Sequence, residues 1–175
     1  MSPLNLDRLI AVLQDYVRST GSSVDLILVG GLALQAYGLR ERVTLDVDGE
    51  LVGELESLVE FLRQRHIPAD LGENMSGWAV VAMPPGYRTR TTVFHREAGL
   101  TLRLLSPVDF VIAKLRRGTE TDLDDAEFVV QKFDLATTDI QHAAEQAIAA
   151  SPKDTALFIF KRIVAAFCKR IEANS

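Results

Sequence analysis

Two short clusters in this chain have the residue types and spacing for chemistry on phosphates. The first is Gly30-Gly31, which closes the apolar run 26–29 and opens an apolar-periodic segment. A strand that enters a helix through glycine lets backbone amides approach a phosphate, and the helix N-terminus favours the anion. The second is Asp46-Val47-Asp48, led in by Thr44-Leu45. Residues two apart on a strand share a face, so both carboxylates are expected on one side with Thr44, and Leu45 and Val47 in the core on the other. Adjacent like charges need a counter-charge. The commonest is a divalent cation held by the two carboxylates, its octahedron completed by nucleotide phosphates.

Each cluster also has a plain structural reading. Gly30-Gly31 suits a tight turn that needs residues without side chains, and the paired aspartates suit a strand edge that charge keeps from aggregating. Gly30, Gly31 and Gly38 do not fit G-x-G-x-x-G, and no G-K-[ST] follows. The ordered combination of strand, Gly-Gly, helix and Thr-x-Asp-x-Asp is more specific than either part. Elsewhere, Lys114 sits where a helix C-terminus welcomes a cation. Arg88 and Arg90, behind the break at Pro84-Pro85-Gly86, are weighed as phosphate or RNA ligands against ordinary solvated strand arginines. His66, His95 and His142 share no ligand spacing and read as surface or capping residues. Trp78 and Tyr37 read as core or pocket wall, and Cys168 as a buried small hydrophobe.

The elements that must position these residues follow from periodicity. Helices are expected over 4–18, 31–37 (closed by Gly38), 53–65, about 106–117, 121–133, a small-residue stripe from Ile140 to Ile148, and 153 to about 172. Ser106-Pro107 supplies an N-cap with proline at the first helical position. Strands are expected over 26–29, over 43–48 with an extension towards Leu51, and over 78–83. A hairpin is expected over 88–105 around Glu97-Ala98-Gly99. Pro68 and Gly72 mark a loop. The character of the chain changes near Ser106, giving an α/β core over 1–105 and a helical subdomain over 106–175.

Composition narrows the class. In 175 residues, 47% are hydrophobic and the mean hydropathy is +0.11, enough for a sizeable core. No apolar run reaches the length of a membrane span, and the start lacks the pattern of a signal peptide. The single cysteine excludes an internal disulfide and a cysteine zinc site. These features together read as a cytoplasmic protein. The net charge of −5 argues against a protein that coats DNA non-specifically. A local basic patch remains compatible with it, and Arg40, Arg42, Arg88, Arg90, Lys114, Arg116 and Arg117 fall in the segments that carry the candidate site.

The combined pattern, Gly30-Gly31 followed by Asp46-x-Asp48 on the next strand, resembles the nucleotidyltransferase superfamily with the DNA polymerase β-like fold. The basic lead-in Gly38-Leu39-Arg40-Glu41-Arg42-Val43-Thr44-Leu45-Asp46-Val47-Asp48 is similar to a small bacterial branch related to abortive-infection and toxin–antitoxin nucleotidyltransferases. So is the later block of Leu105-Ser106-Pro107-Val108-Asp109-Phe110, Lys114, Asp122 and Asp125. The resemblance implies an α+β nucleotidyltransferase fold, with a mixed twisted sheet of four to five strands flanked by helices and a C-terminal helical bundle. It implies Mg²⁺ or Mn²⁺ on Asp46 and Asp48. Gly30, Gly31, Thr44 and Arg42 would lie at the nucleotide and Lys114 near its phosphates, supported by Asp122, Asp125, Arg88 and Arg90. An NTP would give its nucleoside monophosphate to a hydroxyl on RNA, protein or another acceptor. The alternative it implies is a nucleotide-binding or partner-binding component of a toxin–antitoxin or defence pair. The superfamily's third strand carboxylate has no counterpart in 100–105, where Arg103 stands instead. That leaves Asp122 or Asp125 as substitute, a solvent-deprotonated acceptor, or nucleotide binding without transfer.

Overall fold

The computed structural model describes residues 2–175. The described residues form an α+β fold, a five-stranded mixed sheet and seven α-helices. It divides into two compact units. The first takes in the chain up to Asn74 together with Thr91–Leu104, and the second comprises Met75–Arg90 and Leu105–Ser175.

The first unit holds the whole sheet, in the order β3-β2-β1-β5-β4. Its strands are β1 (Val24–Leu28), β2 (Val47–Gly53), β3 (Ala69–Gly72), β4 (Thr92–Glu97) and β5 (Leu100–Leu104). β1 runs antiparallel to β2 and parallel to β5, β2 is parallel to β3, and β4–β5 is a hairpin. Register sorts the side chains. Val24, Leu26 and Leu28 share a face with Val47, Leu51, Leu100, Leu102 and Leu104, all buried. The other face carries Asp25, Asp48, Glu50, Asp70 and Arg103. There Arg103 grips Asp25 through two hydrogen bonds, of 2.7 and 3.0 Å.

Three helices complete this unit: α1 (Leu6–Thr20), α2 (Gly30–Tyr37) and α3 (Leu55–Gln64). Asn5 caps α1, its side chain accepting from the Arg8 amide, and left-handed Gly21 ends it. Leu9, Leu13 and Tyr16 of α1 and Leu58 and Leu62 of α3 are buried. The Tyr16 hydroxyl bonds Ser57 at 3.0 Å, and its ring meets Phe61 edge-on.

The second unit holds α4 (Pro107–Arg117), α5 (Glu120–Phe133), α6 (Thr137–Ala149) and α7 (Ala156–Ala173), with a 3₁₀ turn at Met75–Trp78. Ser106 caps α4 with Pro107 at its start, and Thr119 and Asp122 form a reciprocal capping box on α5. Ile140, Ala143, Ala144 and Ala147, the expected stripe, are buried core.

Four expectations are corrected. Ala69–Gly72 form the edge strand β3 instead of a loop, because pairing with β2 overrides Pro68 just before it and Gly72 at its end. Residues 78–83 contain no strand, and Trp78 is exposed at the end of the 3₁₀ turn. The hairpin starts at Thr92, since 85–90 is a hydrogen-bonded turn. The division does not fall simply at Ser106. Residues 75–90 belong with the helices because Arg116 of α4 donates to the carbonyls of Val81, Met75 and Ser76, at 2.7, 2.9 and 3.1 Å, and Arg90 clamps Asp109.

Candidate functional site

β1 ends at Leu28, and after the single residue Val29 the pair Gly30-Gly31 begins α2. Gly30 has φ +65°, a conformation natural to glycine. A Cβ placed on it would lie 2.1 Å from Asp48 Oδ2. A Cβ on Gly31 would lie 2.7 Å from Thr44 Cβ. Gly30 is therefore required by its backbone conformation and by the approach of Asp48, and Gly31 by the approach of Thr44. Val29, at the N-cap of α2, gives the first turn no side-chain hydrogen bond.

The aspartates sit at the head of β2. The Val29 amide donates to the Asp48 carbonyl at 3.0 Å, continuing the β1–β2 ladder past its last paired strand residues. Asp46 lies in a bend before the strand. Thr44 donates from Oγ1 to Asp46 Oδ1 at 2.8 Å, which fixes that carboxylate from behind. Thr44 is itself held by a bridge to Leu4, whose amide donates to the Thr44 carbonyl at 2.8 Å. Buried Gln35 of α2 secures the same lead-in, donating to the carbonyls of Arg42 at 2.8 Å and Leu4 at 3.2 Å. The expectation that Leu45 joins the core is wrong. Regular pairing of β2 begins only at Val47, so Leu45 is left 43% exposed while Val47 is fully buried.

Gly30, Gly31, Thr44, Asp46 and Asp48 thus come together in the first unit, with Arg42 half-buried in the same lead-in. Two acids of that face went unnoticed in the sequence. Asp70 on β3 stands in register with Asp48 and is exposed. Glu50, two residues on from Asp48, is only 1% exposed. The period-two signal for Glu50 is present in the sequence as Asp-x-Asp-x-Glu. Asp70 had little, since a four-residue strand between Pro68 and the turn after Gly72 shows no clear alternation. Among the described residues, no group of three or more His, Cys, Asp or Glu side chains is arranged to hold a metal ion.

The remaining candidates belong to the second unit. Lys114 is buried, its Nζ 2.8 Å from Asp125 Oδ2 and 3.4 Å from Asp122 Oδ1. Arg117 donates to both Asp122 oxygens at 2.6 and 2.7 Å, and the Thr119 hydroxyl donates at 2.6 Å. Burial pushes the Asp122 carboxyl up, but these bonds and the charges of Lys114 and Arg117 outweigh it and hold the pKa down to about 2. Asp122 and Asp125 thus both lie against the Lys114 ammonium. Arg90 is committed to buried Asp109 through two bonds of 2.9 Å and to the Pro85 carbonyl at 2.8 Å. Arg88 is exposed, its guanidinium 5.1 Å from the Tyr87 ring. The histidines do not cluster, Tyr37 is core, and burial raises the pKa of the Cys168 thiol.

An open mixed sheet with a Gly-Gly turn packed against the aspartates of the neighbouring strand is the architecture of a nucleotidyltransferase-type α+β protein. The family model described as "Nucleotidyltransferase of unknown function (DUF6036)" matches residues 5–169, and the chain belongs to that family. No curated protein and no solved structure matches the chain. No helix among the described residues is long and apolar enough to cross a membrane.

Proposed function

We propose that the chain is a Mg²⁺-dependent nucleotidyltransferase that moves a nucleoside monophosphate from an NTP to an acceptor hydroxyl on RNA or protein. The observation that carries this reading is the packing of Gly30 against the Asp48 carboxylate and of Gly31 against Thr44, which in turn holds Asp46. A structural turn needs one permissive residue. Here two glycines bring a helix start against the Asp48 carboxylate and against Thr44, each of which a methyl on the facing glycine would displace.

The donor set suits magnesium. That ion is held by one or two carboxylates, with water and substrate phosphates completing six oxygens. Asp46 and Asp48 supply hard oxygen donors and are neither fully buried nor fully exposed. A cluster of three protein ligands is not needed for such a site. When bound, the ion would offset charge on the phosphates during transfer.

The chain's own residues do the rest in this reading. The amides at the head of α2 receive phosphate oxygens, since the first turn of a helix carries unsatisfied N–H groups. Thr44 keeps Asp46 in one rotamer. Asp70, beside Asp48 on the neighbouring strand, is the candidate for the third carboxylate of the superfamily, and it would take the proton of the acceptor hydroxyl. Lys114 would act only from within its pair of aspartates. The basic lead-in to Asp46 favours a relation to toxin–antitoxin and defence nucleotidyltransferases. The second reading is nucleotide binding without transfer, and Arg103 on β5, where the superfamily carries its third strand carboxylate, favours it.

Incubation with α-labelled NTPs, Mg²⁺ and an RNA or protein acceptor pool tests the proposal. Label is expected to enter acceptor, and Asp46→Asn or Asp48→Asn is expected to reduce this by at least about a hundredfold, the scale of losing a charge-stabilising group at a reaction centre. Undiminished transfer by either variant would remove the assignment.

A further inference from the structure

The two aspartates are held by different means. Asp48 lies within β2, where the ladder to β1 fixes its backbone. Asp46 ends the lead-in 38–46, which contains neither helix nor strand and joins the fold through the isolated bridge at Thr44. Side chains that share a ligand keep their geometry only where their surroundings lock them to within about 0.5 Å. For Asp46 that support comes from outside the lead-in.

Gln35 is 8% exposed, in a helix otherwise built of Gly, Leu, Ala and Tyr. A buried polar group costs stability unless it is bonded. A carboxamide nitrogen has two hydrogens, and this one reaches two carbonyls, of Arg42 at 2.8 Å and of Leu4 at 3.2 Å. One side chain thus joins the last turn of α2, the lead-in and the N-terminal segment. The segment passes the support on: the Leu4 amide donates to the Thr44 carbonyl, and the Thr44 hydroxyl donates to Asp46. Leu4 is 2% exposed, and Arg8 gathers in the residues before it by donating to the Ser2 carbonyl at 3.1 Å. The helix that starts against Asp48 at Gly30 therefore also reaches Asp46, from its other end.

We propose that Gln35 is a positioning residue of the metal site and that residues 2–4 are its strap, together setting Asp46 where it shares a divalent cation with Asp48. The inference rests on the reading of Asp46 and Asp48 as the metal-binding pair. Gln35 touches neither ion nor substrate and acts through Leu4 and Thr44. Groups behind a ligand tune its affinity for the ion. Such coupling is reciprocal, so an ion that needs Asp46 in place also tightens the strap that puts it there.

Titration of the full chain with Mn²⁺ alone, read by the electron paramagnetic resonance of the free ion, tests it without reference to activity. Gln35→Met keeps the side-chain length and deletes both donors. It is expected to bind Mn²⁺ about three- to tenfold more weakly, less than the ten- to hundredfold typical of a direct partner of a ligand. Tyr16→Phe, which removes the bond to Ser57 in the same unit, is expected to bind as wild type does and so separates positioning from general destabilisation. Thermal melts verify folding. Hydrogen exchange on the wild type needs no variant: Mg²⁺ is expected to slow exchange of the Leu4 amide. Wild-type affinity in Gln35→Met, equal weakening in Tyr16→Phe, or Leu4 exchange indifferent to Mg²⁺ would each overturn the inference. If Asp48→Asn loses the ion in the same experiment, the metal assignment survives that failure. Undiminished Mn²⁺ binding by Asp48→Asn would instead remove the assignment, and the inference with it.

Discussion

The Thr44–Asp46 hydrogen bond, at 2.8 Å, is the most informative contact at residue scale, because it connects a side chain forced against Gly31 to a proposed metal ligand. Groups behind a ligand fix its orientation, and their loss typically costs ten- to hundredfold in metal affinity. Thr44→Val keeps the branched shape facing Gly31 and deletes only the donor. It is expected to raise the Mg²⁺ concentration for half-maximal nucleotide transfer by about tenfold, while kcat at saturating Mg²⁺ changes little. A magnesium titration of wild type and variant checks this, and an unchanged midpoint would make the bond structural. The sequence made Gly30, Gly31, Asp46 and Asp48 legible because each is a residue type with few alternatives at such spacing. It hid the role of Thr44, which depends on Leu4 holding the lead-in from forty residues away.

At the scale of elements, the α4–α5 pair is joined by Lys114, Arg117, Asp122 and Asp125. Asp122 has no exposed surface, and its pKa is lowered from the ordinary 3.8 to about 2. A carboxylate depressed in the folded state contributes stability above its unfolded pKa and loses it as pH falls through the folded value. The contribution, about 2 kcal/mol, is therefore complete above roughly pH 4 and fades between there and pH 2. Urea melts across that window are expected to show this loss in wild type and a flatter acid limb in Asp122→Asn. Lys114→Met, which leaves Asp125 without its short contact, is expected to cost about 3 kcal/mol near neutral pH. Lys114→Met/Asp125→Leu should recover most of it. Most helices were readable in advance, since Ser106-Pro107 and the closing glycines act locally. β3 was not, because its four residues become a strand only through pairing with β2. The false strand at 78–83 has the opposite cause. Its backbone groups find side chains instead of a neighbouring strand: the Ala82 and Met83 amides donate to the Ser151 and Ser76 hydroxyls, and Arg116 of α4 takes the carbonyls of Met75, Ser76 and Val81.

At the scale of the whole molecule, the question is whether the chain binds nucleotide only or also transfers it, and stability separates these outcomes. A ligand that binds only the folded state at a hundred times its Kd adds about 2.7 kcal/mol. For a chain of this length, each kcal/mol raises Tm by about 2–4 °C. Mg²⁺ with a non-hydrolysable triphosphate is therefore expected to raise Tm by about 5–10 °C, whereas either component alone should do much less, because the phosphates complete the coordination of the ion. Asp48→Asn should abolish the joint shift, having lost a proposed metal ligand. Asp70→Asn should keep the shift and lose transfer, because the proposed role of Asp70 begins only when an acceptor hydroxyl must give up its proton. A wild type that shifts but transfers no label to any acceptor would leave the binding reading in possession of the same residues. A wild type that does not shift at all would return Gly30-Gly31 and the aspartates to a purely structural turn. The paired measurement on Asp48→Asn and Asp70→Asn distinguishes all three, since binding depends on the first carboxylate and turnover on both.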